Sequence, residues 1–458
     1  MGYRLLNTFA ALLCLALAAN AQGVMGWRTD GTGRYPAATP PLTWSAEQGV
    51  VWATPTPAHS NSTPLLVGDL VFVTSEPTTL LCLRATDGAL LWAKPNDFSE
   101  LASEQEAAQM TADYERAAKL RQEAGQTWGE VRKLKQDLQD SPDDADLKAK
   151  LAEAEKKMAD INAELQAYRE KWYSLPDAHP TNGYASATPV SDGSRVFAVF
   201  GTGMVVAYDL YGTRLWHRVL AKPTIDWGGA SSPVLVGEKL IVQSRDVYAL
   251  NKDTGETLWQ VQTPETWATP MVTTVSNEPV LLTGAGDAIR VSDGAILASN
   301  LGRCDYGSGI VEGDVAYWIQ NGGTAVRLRE IADDKLLTET LWTTTPKADR
   351  YYAAPLLYDG LIYCITQSGV FSVIDAADGA VVFEKDLQLG QGTVYPSICL
   401  AGGNLYVSSD NGTTVVLKPG REPVELARNT LEGFRSTPVF SGSRVYIRGL
   451  TKVWCLGE

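Results

Sequence analysis

The sequence predicts an all-β fold: an eight-bladed β-propeller of four-stranded antiparallel blades, with an antiparallel α-helical hairpin inserted into it. Pairs of short apolar strands separated by glycine-containing turns recur along most of the 458 residues, and an aromatic residue, most often tryptophan, closes many of these units. One stretch interrupts the repeats and is rich in Glu, Lys, Ala, Gln and Leu. Units of roughly 40 residues with four short strands are typical of propellers. The interrupting composition is typical of long helices.

Each repeat contains two hairpins. The outer hairpin is a strand, a tight turn with glycine at a position that tolerates positive φ, and a second strand that ends in an aromatic residue. Its clearest copies are Cys82–Trp92, Ala207–Trp216, Ala249–Trp259 and Val373–Phe383. The inner hairpin begins with a Thr-Pro or Ser-Pro pair, at Thr63, Thr188, Ser232 and Thr437. Four strands per unit make one blade.

The spacing of the repeats predicts eight blades and indicates how the ring closes. Successive outer aromatics such as Trp216 and Trp259 lie roughly 40 residues apart. The C-terminal repeat has only three strands and ends at 453–456, whereas Gly49–Thr54 is a strand without a hairpin partner. We expect this N-terminal strand to complete the last blade, because a closed ring removes the unpaired strand edges that favour aggregation.

The repeat resembles the tryptophan-docking repeat of the PQQ-type, or quinoprotein-like, β-propellers. That family's pattern is roughly Ala-x-Asp-x-x-Thr-Gly-x-x-x-Trp, and residues 249–259 keep all of it except for Asn251 in place of Asp. The resemblance covers nearly the whole chain outside the leader and 97–177. Blades four, six and seven replace the terminal tryptophan, with Ala298, Phe383 and Leu426. We expect the tryptophans to pack between blades rather than to contact a ligand.

Residues 97–177 are predicted to form an antiparallel coiled-coil hairpin, because apolar residues alternate there in steps of four and three. They are Met110, Tyr114, Ala117, Leu120, Ala124, Val131, Leu134 and Leu138 in the first helix, and Leu147, Leu151, Ala154, Met158, Ile161, Leu165, Tyr168 and Trp172 in the second. Ser141 and Pro142 are expected as the N-cap and first residue of the second helix. The hairpin either packs on the propeller or projects as an arm that recruits a partner, and the sequence leaves both open.

The N-terminus has the pattern of an export signal. Arg4 precedes an apolar run from Leu5 to Ala18, and Ala19-Asn20-Ala21 supplies the small residues that signal peptidase requires. We therefore expect a signal peptide over 1–21, cleavage near Ala21, and a periplasmic or secreted protein. The closing strand and first blade would occupy 22–96, the hairpin 97–177, and the remaining blades 178–458.

Composition argues against several classes of function. The formal net charge is −14, and no cluster of Lys and Arg is present that could displace counterions from nucleic acid. No stretch after the leader has the roughly 20 apolar residues of a membrane span. The three histidines lie far apart in sequence, so no metal site is predicted. The cysteines after the leader are expected to be small buried residues, because no CxxC or adjacent pair occurs.

The predicted function is a non-catalytic scaffold of the cell envelope that binds protein partners through the propeller face or the hairpin. Resemblance to the propeller subunit of the outer-membrane β-barrel assembly machinery, which carries this repeat eight times, implies such a role. The chain departs from that subunit in one respect. Cys14 lacks the small preceding residue of a lipid-attachment site.

A PQQ- and calcium-dependent dehydrogenase is the second class. By resemblance, such enzymes combine a calcium ion held by carboxylate and amide ligands, an aspartate base and a tryptophan beneath the quinone, and the alcohol dehydrogenases add a disulfide between adjacent cysteines. The chain has no adjacent cysteines and no recognisable carboxylate set. Neither catalytic residues nor a cofactor is therefore predicted.

A small ligand, glycan or peptide bound at the mouth of the central channel is the third class. An aromatic residue or a histidine stands just before the innermost strand of nearly every blade, and loops into inner strands lie on one face of a propeller. Rings with polar tips suit sugar or peptide binding. The candidates and their charged neighbours are His59, Tyr184, Asp226, Trp227, Trp267, Tyr306, Arg350, Tyr351, Tyr395, Phe434 and Arg435. The alternative is that these aromatics pack between blades.

Overall fold

The computed structural model describes residues 26–457, which form 33 short strands, two long helices and one short 3-10 helix. The strands form eight sheets, numbered here 1 to 8 in the order in which their inner strands follow along the chain. The protein is thus all-β apart from its helices, and its four-stranded antiparallel sheets are those of a propeller, as predicted. The predicted signal peptide over 1–21 lies outside the described residues.

Most strands of a sheet follow one another along the chain, and two N-terminal strands join later sheets. The N-terminal strands are β1 (Arg34–Tyr35) and β2 (Val50–Pro55). Sheet 1 contains β3 (Leu65–Val67), β4 (Leu70–Ser75), β5 (Thr79–Arg84) and β6 (Leu90–Lys94), and sheet 2 contains β7 (Val190–Ser191), β8 (Arg195–Val199), β9 (Met204–Asp209) and β10 (Arg214–Val219). Sheet 3 contains β11 (Val234–Val236), β12 (Lys239–Gln243), β13 (Val247–Asn251) and β14 (Thr257–Val261), and sheet 4 contains β15 (Met271–Val275), β16 (Glu278–Leu282), β17 (Ala288–Arg290) and β18 (Ile296–Ala298).

Sheets 5 to 8 repeat this arrangement. Sheet 5 contains β19 (Ile310–Glu312), β20 (Val315–Gln320), β21 (Gly322–Ala332) and β22 (Lys335–Thr344), and sheet 6 contains β23 (Leu356–Tyr358), β24 (Leu361–Ile365), β25 (Val370–Asp375) and β26 (Val381–Asp386). Sheet 7 contains β27 (Cys399–Ala401), β28 (Asn404–Ser408), β29 (Thr413–Lys418) and β30 (Val424–Thr430), and sheet 8 contains β31 (Val439–Ser441), β32 (Arg444–Arg448) and β33 (Lys452–Leu456) together with β2. Strand β1 adds a parallel fifth strand to sheet 7 beside β27.

The outer strand of each sheet carries a register shift beside its terminal aromatic position. In sheet 3, Ala249 faces Trp259 while Leu250 faces Thr257, so β14 has one residue more than its partner. Equivalent shifts occur in the other seven sheets. Such a bulge re-aims the side chain beside it. Here it accompanies a tryptophan that contacts the next sheet.

Five tryptophans of the outer strands link neighbouring sheets, which confirms the packing role predicted for them. Each indole Nε1 donates to a backbone carbonyl of the next sheet at 2.9–3.1 Å; the pairs are Trp52 with Ala85, Trp92 with Leu210, Trp216 with Lys252, Trp259 with Val291 and Trp342 with Ala376. A turn glycine of positive φ lies against each ring. An added Cβ at Gly88, Gly212, Gly255, Gly294 or Gly379 would stand 2.5–3.0 Å from the indole. Glycine is required there for conformation and for space.

Sheet 7 shows that one predicted register was wrong. Ala427, not Leu426, lies opposite Val416 at the tryptophan position, and the Leu426 side chain is 44% exposed. The vacated space is filled from the N-terminal segment. Trp44 is buried in the same cluster and stacks on Tyr406, with ring centroids 6.0 Å apart. A contact of this kind joins distant parts of the chain and has no local signal in the repeat.

The N-terminal strand β2 joins the last sheet to the first. It pairs antiparallel with β33, with Trp52 facing Cys455, and so forms the outer strand of sheet 8. On the inner side, the backbone N–H of Thr437, just before sheet 8, donates to Oγ1 of Thr63, just before sheet 1, at 3.2 Å. The unpartnered strand in the sequence therefore has the role predicted for it.

Two long helices leave the sheets between β6 and β7. They are α1 (Glu104–Asp140) and α2 (Ala145–Arg169), preceded by a 3-10 helix (Phe98–Leu101). Ion pairs from Arg116 to Glu164 at 2.6 Å and from Lys135 to Glu155 at 2.9 Å join them side by side in antiparallel sense.

Both helices begin at an acidic or hydroxyl cap. Ser103 and Glu106 form a capping box at the start of α1. Asp144 caps α2, with a carboxylate oxygen that accepts from the N–H groups of Asp146 and Leu147. The cap predicted at Ser141 was wrong, because the N–H of Ser141 still bonds to the last turn of α1.

Most residues of the predicted seam lie between the two helices. The buried ones are Ala117, Leu120, Leu134, Ala154, Ile161, Leu165 and Tyr168, whereas Met110 is buried against the sheets. Trp172 departs from the pattern. Helix α2 ends at Arg169, and the indole of Trp172 is 43% exposed and lies edge-on to Phe98.

The base of the helices belongs to the core of the sheets, and the outer part does not. Phe98, Met110 and Tyr173 share one buried cluster with Phe72 of sheet 1 and Val206 of sheet 2. The next cluster outward consists of helix residues alone: Ala117, Leu120, Ile161, Leu165 and Tyr168. The inner part of the hairpin, which contains Phe98, Met110 and Tyr173, is called the base here, and the outer part, from Ala117 to Tyr168, is called the arm.

The five described cysteines are buried and free: Cys82, Cys304, Cys364, Cys399 and Cys455. They have the structural role that the sequence predicts, and burial raises the pKa of the Cys82 thiol to about 12, which leaves it unreactive. Across residues 26–457, no helix combines the length and apolar character that a membrane crossing needs.

Candidate functional site at the channel mouth

Two rings of side chains, one above the other, face a central cavity. Successive side chains of an extended segment point to opposite faces, so residues four and two positions before an inner strand point the same way. The upper ring, four positions before each inner strand, is Asn61, Ser186, Ala230, Trp267, Tyr306, Tyr352, Tyr395 and Arg435. The lower ring, two positions before, is Thr63, Thr188, Ser232, Thr269, Ser308, Ala354, Ser397 and Thr437. All of these except Ala354 line a cavity of about 390 Å³, which we call the cup.

The lower ring is a nearly continuous girdle of hydrogen bonds. The backbone N–H of seven of the eight members donates to the hydroxyl of the next, at 2.8–3.2 Å. The chain of bonds is interrupted only between Ser308 and Ala354, because alanine offers no hydroxyl. These bonds satisfy buried N–H groups at the point where the sheets approach each other most closely. The girdle therefore holds in place the backbone segments that carry the upper ring.

The upper ring is divided into an aromatic wall and a polar wall. Stacked or edge-on rings run from Trp267 through Tyr306 and Tyr352 to Tyr395, with centroids 5.0–5.2 Å apart. The guanidinium of Arg435 ends the series, 5.8 Å from the centroid of the Tyr395 ring. These separations suit favourable aromatic pairs.

The polar wall is built from amides and hydroxyls. Nδ2 of Asn61 donates to Oγ of Ser186 at 2.9 Å and to the carbonyl of Thr181 at 2.8 Å. Nδ2 of Asn182 donates to the carbonyl oxygens of Trp227 and Gly228 at 2.8 and 3.0 Å. The loop that carries Trp227 is thereby held against the segment that returns from the helices.

Trp27 forms the floor of the cup, because the segment from Gly26 to Tyr35 crosses the channel. The Arg28 side chain holds this segment in place. It is 1% exposed and donates to the carbonyl oxygens of Pro355 at 3.0 Å and Ile398 at 2.9 Å. Trp27 also lines a second cavity of about 390 Å³ on the other side of the segment.

Charges at the cup are predominantly positive. Arg28 lies beneath the floor, and Arg350 and Arg435 line the wall, against the single carboxylate of Asp226. Burial lowers the pKa of Arg28, whereas a hydrogen bond to the Tyr352 hydroxyl raises the pKa of Arg350. Nε of Arg435 lies 3.8 Å from the Asp410 carboxylate.

Seven of the residues predicted for the mouth line the cup: Asp226, Trp227, Trp267, Tyr306, Arg350, Tyr395 and Arg435. Trp227 stands at the edge, 37% exposed, and stacks on His179 with centroids 3.9 Å apart. The structure therefore brings most of the predicted set to one place.

Two predicted residues, Tyr351 and Phe434, are in the core instead. Both stand five positions before an inner strand, so their side chains point away from the cavity and are 1% and 0% exposed. The hydroxyl of Tyr351 donates to the carbonyl of Lys347 at 2.7 Å. Tyr352 stands four positions before the same strand, so its side chain faces the cavity and occupies the place predicted for Tyr351.

His59 and Tyr184 are also outside the cup, because their side chains contact the segment that returns from the helices. Nε2 of His59 lies 3.3 Å from the carbonyl oxygen of Pro180. The Tyr184 hydroxyl donates to the carbonyl of Pro176 at 2.9 Å, and burial raises its pKa to about 12. Tyr184 lines a neighbouring cavity of about 330 Å³ beside Arg121, which shares Asp226 and Trp227 with the cup.

Sequence reasoning missed Tyr352, Asn61, Asn182, Trp27 and the hydroxyl girdle. The recurrent Thr-Pro and Ser-Pro pairs were a signal for the girdle, since the first residue of each pair is a girdle member. Trp27 had no such signal. Within 26–457, no group of three or more His, Cys, Asp or Glu side chains is arranged to hold a metal ion.

Comparisons with known proteins agree with this architecture. Residues 32–118 and 178–330, just over half of the chain, match the family model described as "Outer membrane protein assembly factor BamB". BamB of Yersinia pestis is 26% identical over 269 residues, which cover 51% of this chain and 64% of that protein. The match thus spans less than two thirds of the relative's length.

Two solved enzymes share the fold. A europium-containing methanol dehydrogenase aligns with a TM-score of 0.52 and 13% identity, over 94% of this chain and 91% of that one. The quinohemoprotein alcohol dehydrogenase of Comamonas testosteroni aligns with a TM-score of 0.51 and 10% identity, over 94% and 80%. At such identities the likeness concerns the fold alone.

Proposed function

Since the chain belongs to the family of the outer membrane protein assembly factor BamB, a family of PQQ-type propellers, we propose that it is a non-catalytic scaffold that binds a protein partner in the cell envelope. The eight sheets are then eight blades of one closed ring. Residues 22–96 and 178–458 form the ring, and 97–177 form a coiled-coil hairpin inserted in it. The relatives' name makes a protein of outer-membrane assembly the first partner to test.

The single observation that carries this proposal is the arm. Its helices pack on each other, and most other side chains of α1 and α2 are exposed. The indole of Trp128 is 59% exposed, with the guanidinium of Arg132 at 5.5 Å from its ring centroid. Tryptophan and arginine are enriched among the residues that dominate binding energy at protein interfaces. A rigid ring that holds such a pair away from its own core suits the recruitment of a partner.

A quinone-dependent dehydrogenase is the alternative, and the residues of the cup do not fit it. A calcium ion needs six to eight oxygen ligands, several of them carboxylates in most sites. The lining of the cup contains one carboxylate, Asp226, which is exposed, against two arginines, Arg350 and Arg435. The five described cysteines are buried and free, and no two of them are adjacent. These features support binding rather than catalysis.

The export signal predicted over 1–21 supports location in the periplasm or outside the cell. The net charge of −14 argues against nucleic acid as a partner. Both features are compatible with an envelope scaffold.

Quantitative affinity capture from an envelope extract of the source cell tests the proposal. Three forms would serve as bait: the intact protein, a form in which a short Gly/Ser linker replaces 126–156, and Tyr352→Ala. We expect one protein to be enriched by the intact form and by Tyr352→Ala, and to be lost from the shortened form. Equal enrichment by the shortened form would show that the arm does not recruit the partner.

A further inference from the structure

The aromatic wall of the cup is open to a ligand. Trp267, Tyr306, Tyr352 and Tyr395 are partly exposed although each contacts a neighbouring ring. Rings that served only to pack between sheets would be buried, as Tyr351 is. The cavity of about 390 Å³ falls within the range of roughly 300–1,000 Å³ of small-molecule sites. Flat aromatic faces in a concave site of this size favour a compact ring-shaped ligand with apolar faces.

The hydrogen-bonding groups of the cup favour a ligand rich in acceptors. The indole N–H groups of Trp27 and Trp227 and the hydroxyl of Tyr306 have no partner within residues 26–457, and the Arg350 guanidinium donates from one nitrogen only, to Tyr352. The hydroxyl groups of a sugar ring meet these donors while its C–H faces meet the aromatic rings.

An extended peptide suits the cup less well. Peptides that bind to sheets commonly add a strand to a free edge and bond through the backbone. At the cup, the backbone N–H groups of seven girdle members already bond to hydroxyls of the next sheet. The remaining donors are isolated side chains, which suits a small molecule.

The charges select among ring ligands. Arg28 is buried beneath the floor, hydrogen-bonds only to carbonyl oxygens, and has no carboxylate within 4 Å among the described residues. A buried cation without a counter-ion is unfavourable, and an anion bound nearby offsets that cost. At the wall, Arg435 has the Asp410 carboxylate 3.8 Å away, whereas the Arg350 guanidinium has no carboxylate within 4 Å among the described residues, and the lining itself contains one carboxylate, Asp226. The cup therefore disfavours a cation, although aromatic cages otherwise bind cations well.

We propose that the cup binds an acidic carbohydrate, a sugar ring that bears a carboxylate. The ring stacks on the aromatic wall, and the carboxylate is held by Arg350. This site is distinct from the arm, so failure of the acidic-carbohydrate proposal would not contradict the scaffold proposal, and the reverse also holds.

Saturation-transfer NMR on the intact protein, with four small probes, tests the assignment. The probes are glucuronate, glucose, glucosamine and glutarate, which separate the ring from its charge. We expect the strongest transfer to glucuronate, weaker transfer to glucose, and little to glucosamine or to glutarate, which has carboxylates but no ring. The assignment is overturned if no probe binds, if glucosamine or glutarate equals glucuronate, or if glucose does.

Variants locate the site. Tyr352→Ala removes the centre of the aromatic wall, and Tyr211→Ala, at a turn where the side chain is 91% exposed, is the matched control. We expect Tyr352→Ala to weaken glucuronate binding about tenfold or more, and Arg350→Gln to remove roughly a tenfold preference over glucose, the effect of one charge-assisted hydrogen bond. Thermal melting of each variant checks that it folds. Unchanged binding by a folded Tyr352→Ala would place any sugar site elsewhere and overturn the assignment.

Discussion

At the scale of single residues, the parity of a position before its inner strand decides whether a side chain serves the site or the core. Tyr351 and Tyr352 are adjacent in sequence, yet the first is 1% exposed and the second lines the cup. The same parity separates Phe434 from Arg435. Chemical type alone cannot distinguish such neighbours, because tyrosine suits both environments.

Substitution of the two tyrosines tests this parity rule. Tyr351→Ala should lower the free energy of unfolding by about 3 kcal/mol or more, as other large-to-small changes in cores do. Tyr352→Ala should cost much less, because its ring already faces the cavity. Urea unfolding followed by circular dichroism measures both values. Equal losses would mean that Tyr352 is also a core residue.

A pair of glycines in sheet 6 tests the tryptophan-docking geometry. Gly379 and Gly360 have φ of +77° and +71°, but a Cβ at Gly379 would stand 2.7 Å from the Trp342 ring, whereas a Cβ at Gly360 meets nothing within 4 Å. Gly360→Ala should therefore cost only the roughly 1–2 kcal/mol of the left-handed conformation. Gly379→Ala should cost about 1–3 kcal/mol more, because the ring must move. Equal costs in urea unfolding would contradict the docking account.

The sequence predicts the roles of repeated residues but not those of residues that occur once. The Thr-Pro pairs and the turn glycines are repeated, so their role can be inferred by comparing copies. Trp27 and Trp44 occur once, and their places depend on contacts such as that of Arg28 with Pro355 and Ile398, hundreds of residues away. No local pattern encodes a contact of that kind.

At the scale of elements, periodicity predicts where strands and helices lie but not the residues at which they begin and end. The steps of four and three in α1 and α2 predicted which side chains would be buried between them. The cap of α2 was misplaced by three residues, because Ser141 and Asp144 are both good N-caps and only packing selects Asp144. Periodicity also could not predict that the base of the hairpin would share a cluster with sheets 1 and 2.

Two truncations separate the base from the arm. Replacing 126–156 by a short Gly/Ser linker should leave the melting temperature of the ring within a few degrees of the intact value, because helix residues alone are lost. Replacing 98–176 should lower it strongly, because Phe98, Met110 and Tyr173 leave the cluster they share with Phe72. Differential scanning calorimetry measures both. A ring that tolerates the larger replacement equally well would show that the base is not part of its core.

At the scale of the whole molecule, we expect stability to depend on closure of the proposed ring. Each sheet buries its faces mainly against its two neighbours, so an unclosed ring would leave one face of two sheets exposed. Pairing of β2 with β33 and the bond from Thr437 to Thr63 supply the last junction from opposite rims.

Disruption of the junction should affect the entire ring. Deleting residues up to 55 should lower the unfolding temperature of all sheets together and expose β33 as a sheet edge, with aggregation as a consequence. Hydrogen exchange resolved along the chain measures this effect. Loss of protection confined to sheet 8 would show that closure does not stabilise the remaining sheets.

We assign partner binding to the arm, and site-specific photo-crosslinking in the source cell tests that assignment most directly. A photoreactive phenylalanine would replace Trp128 on the arm or, as the control, Tyr211, which is 91% exposed on sheet 2. We expect one dominant crosslinked protein from position 128 and none, or a different and weaker product, from position 211. The absence of any crosslink at 128, or the same product at equal yield from 211, would contradict it.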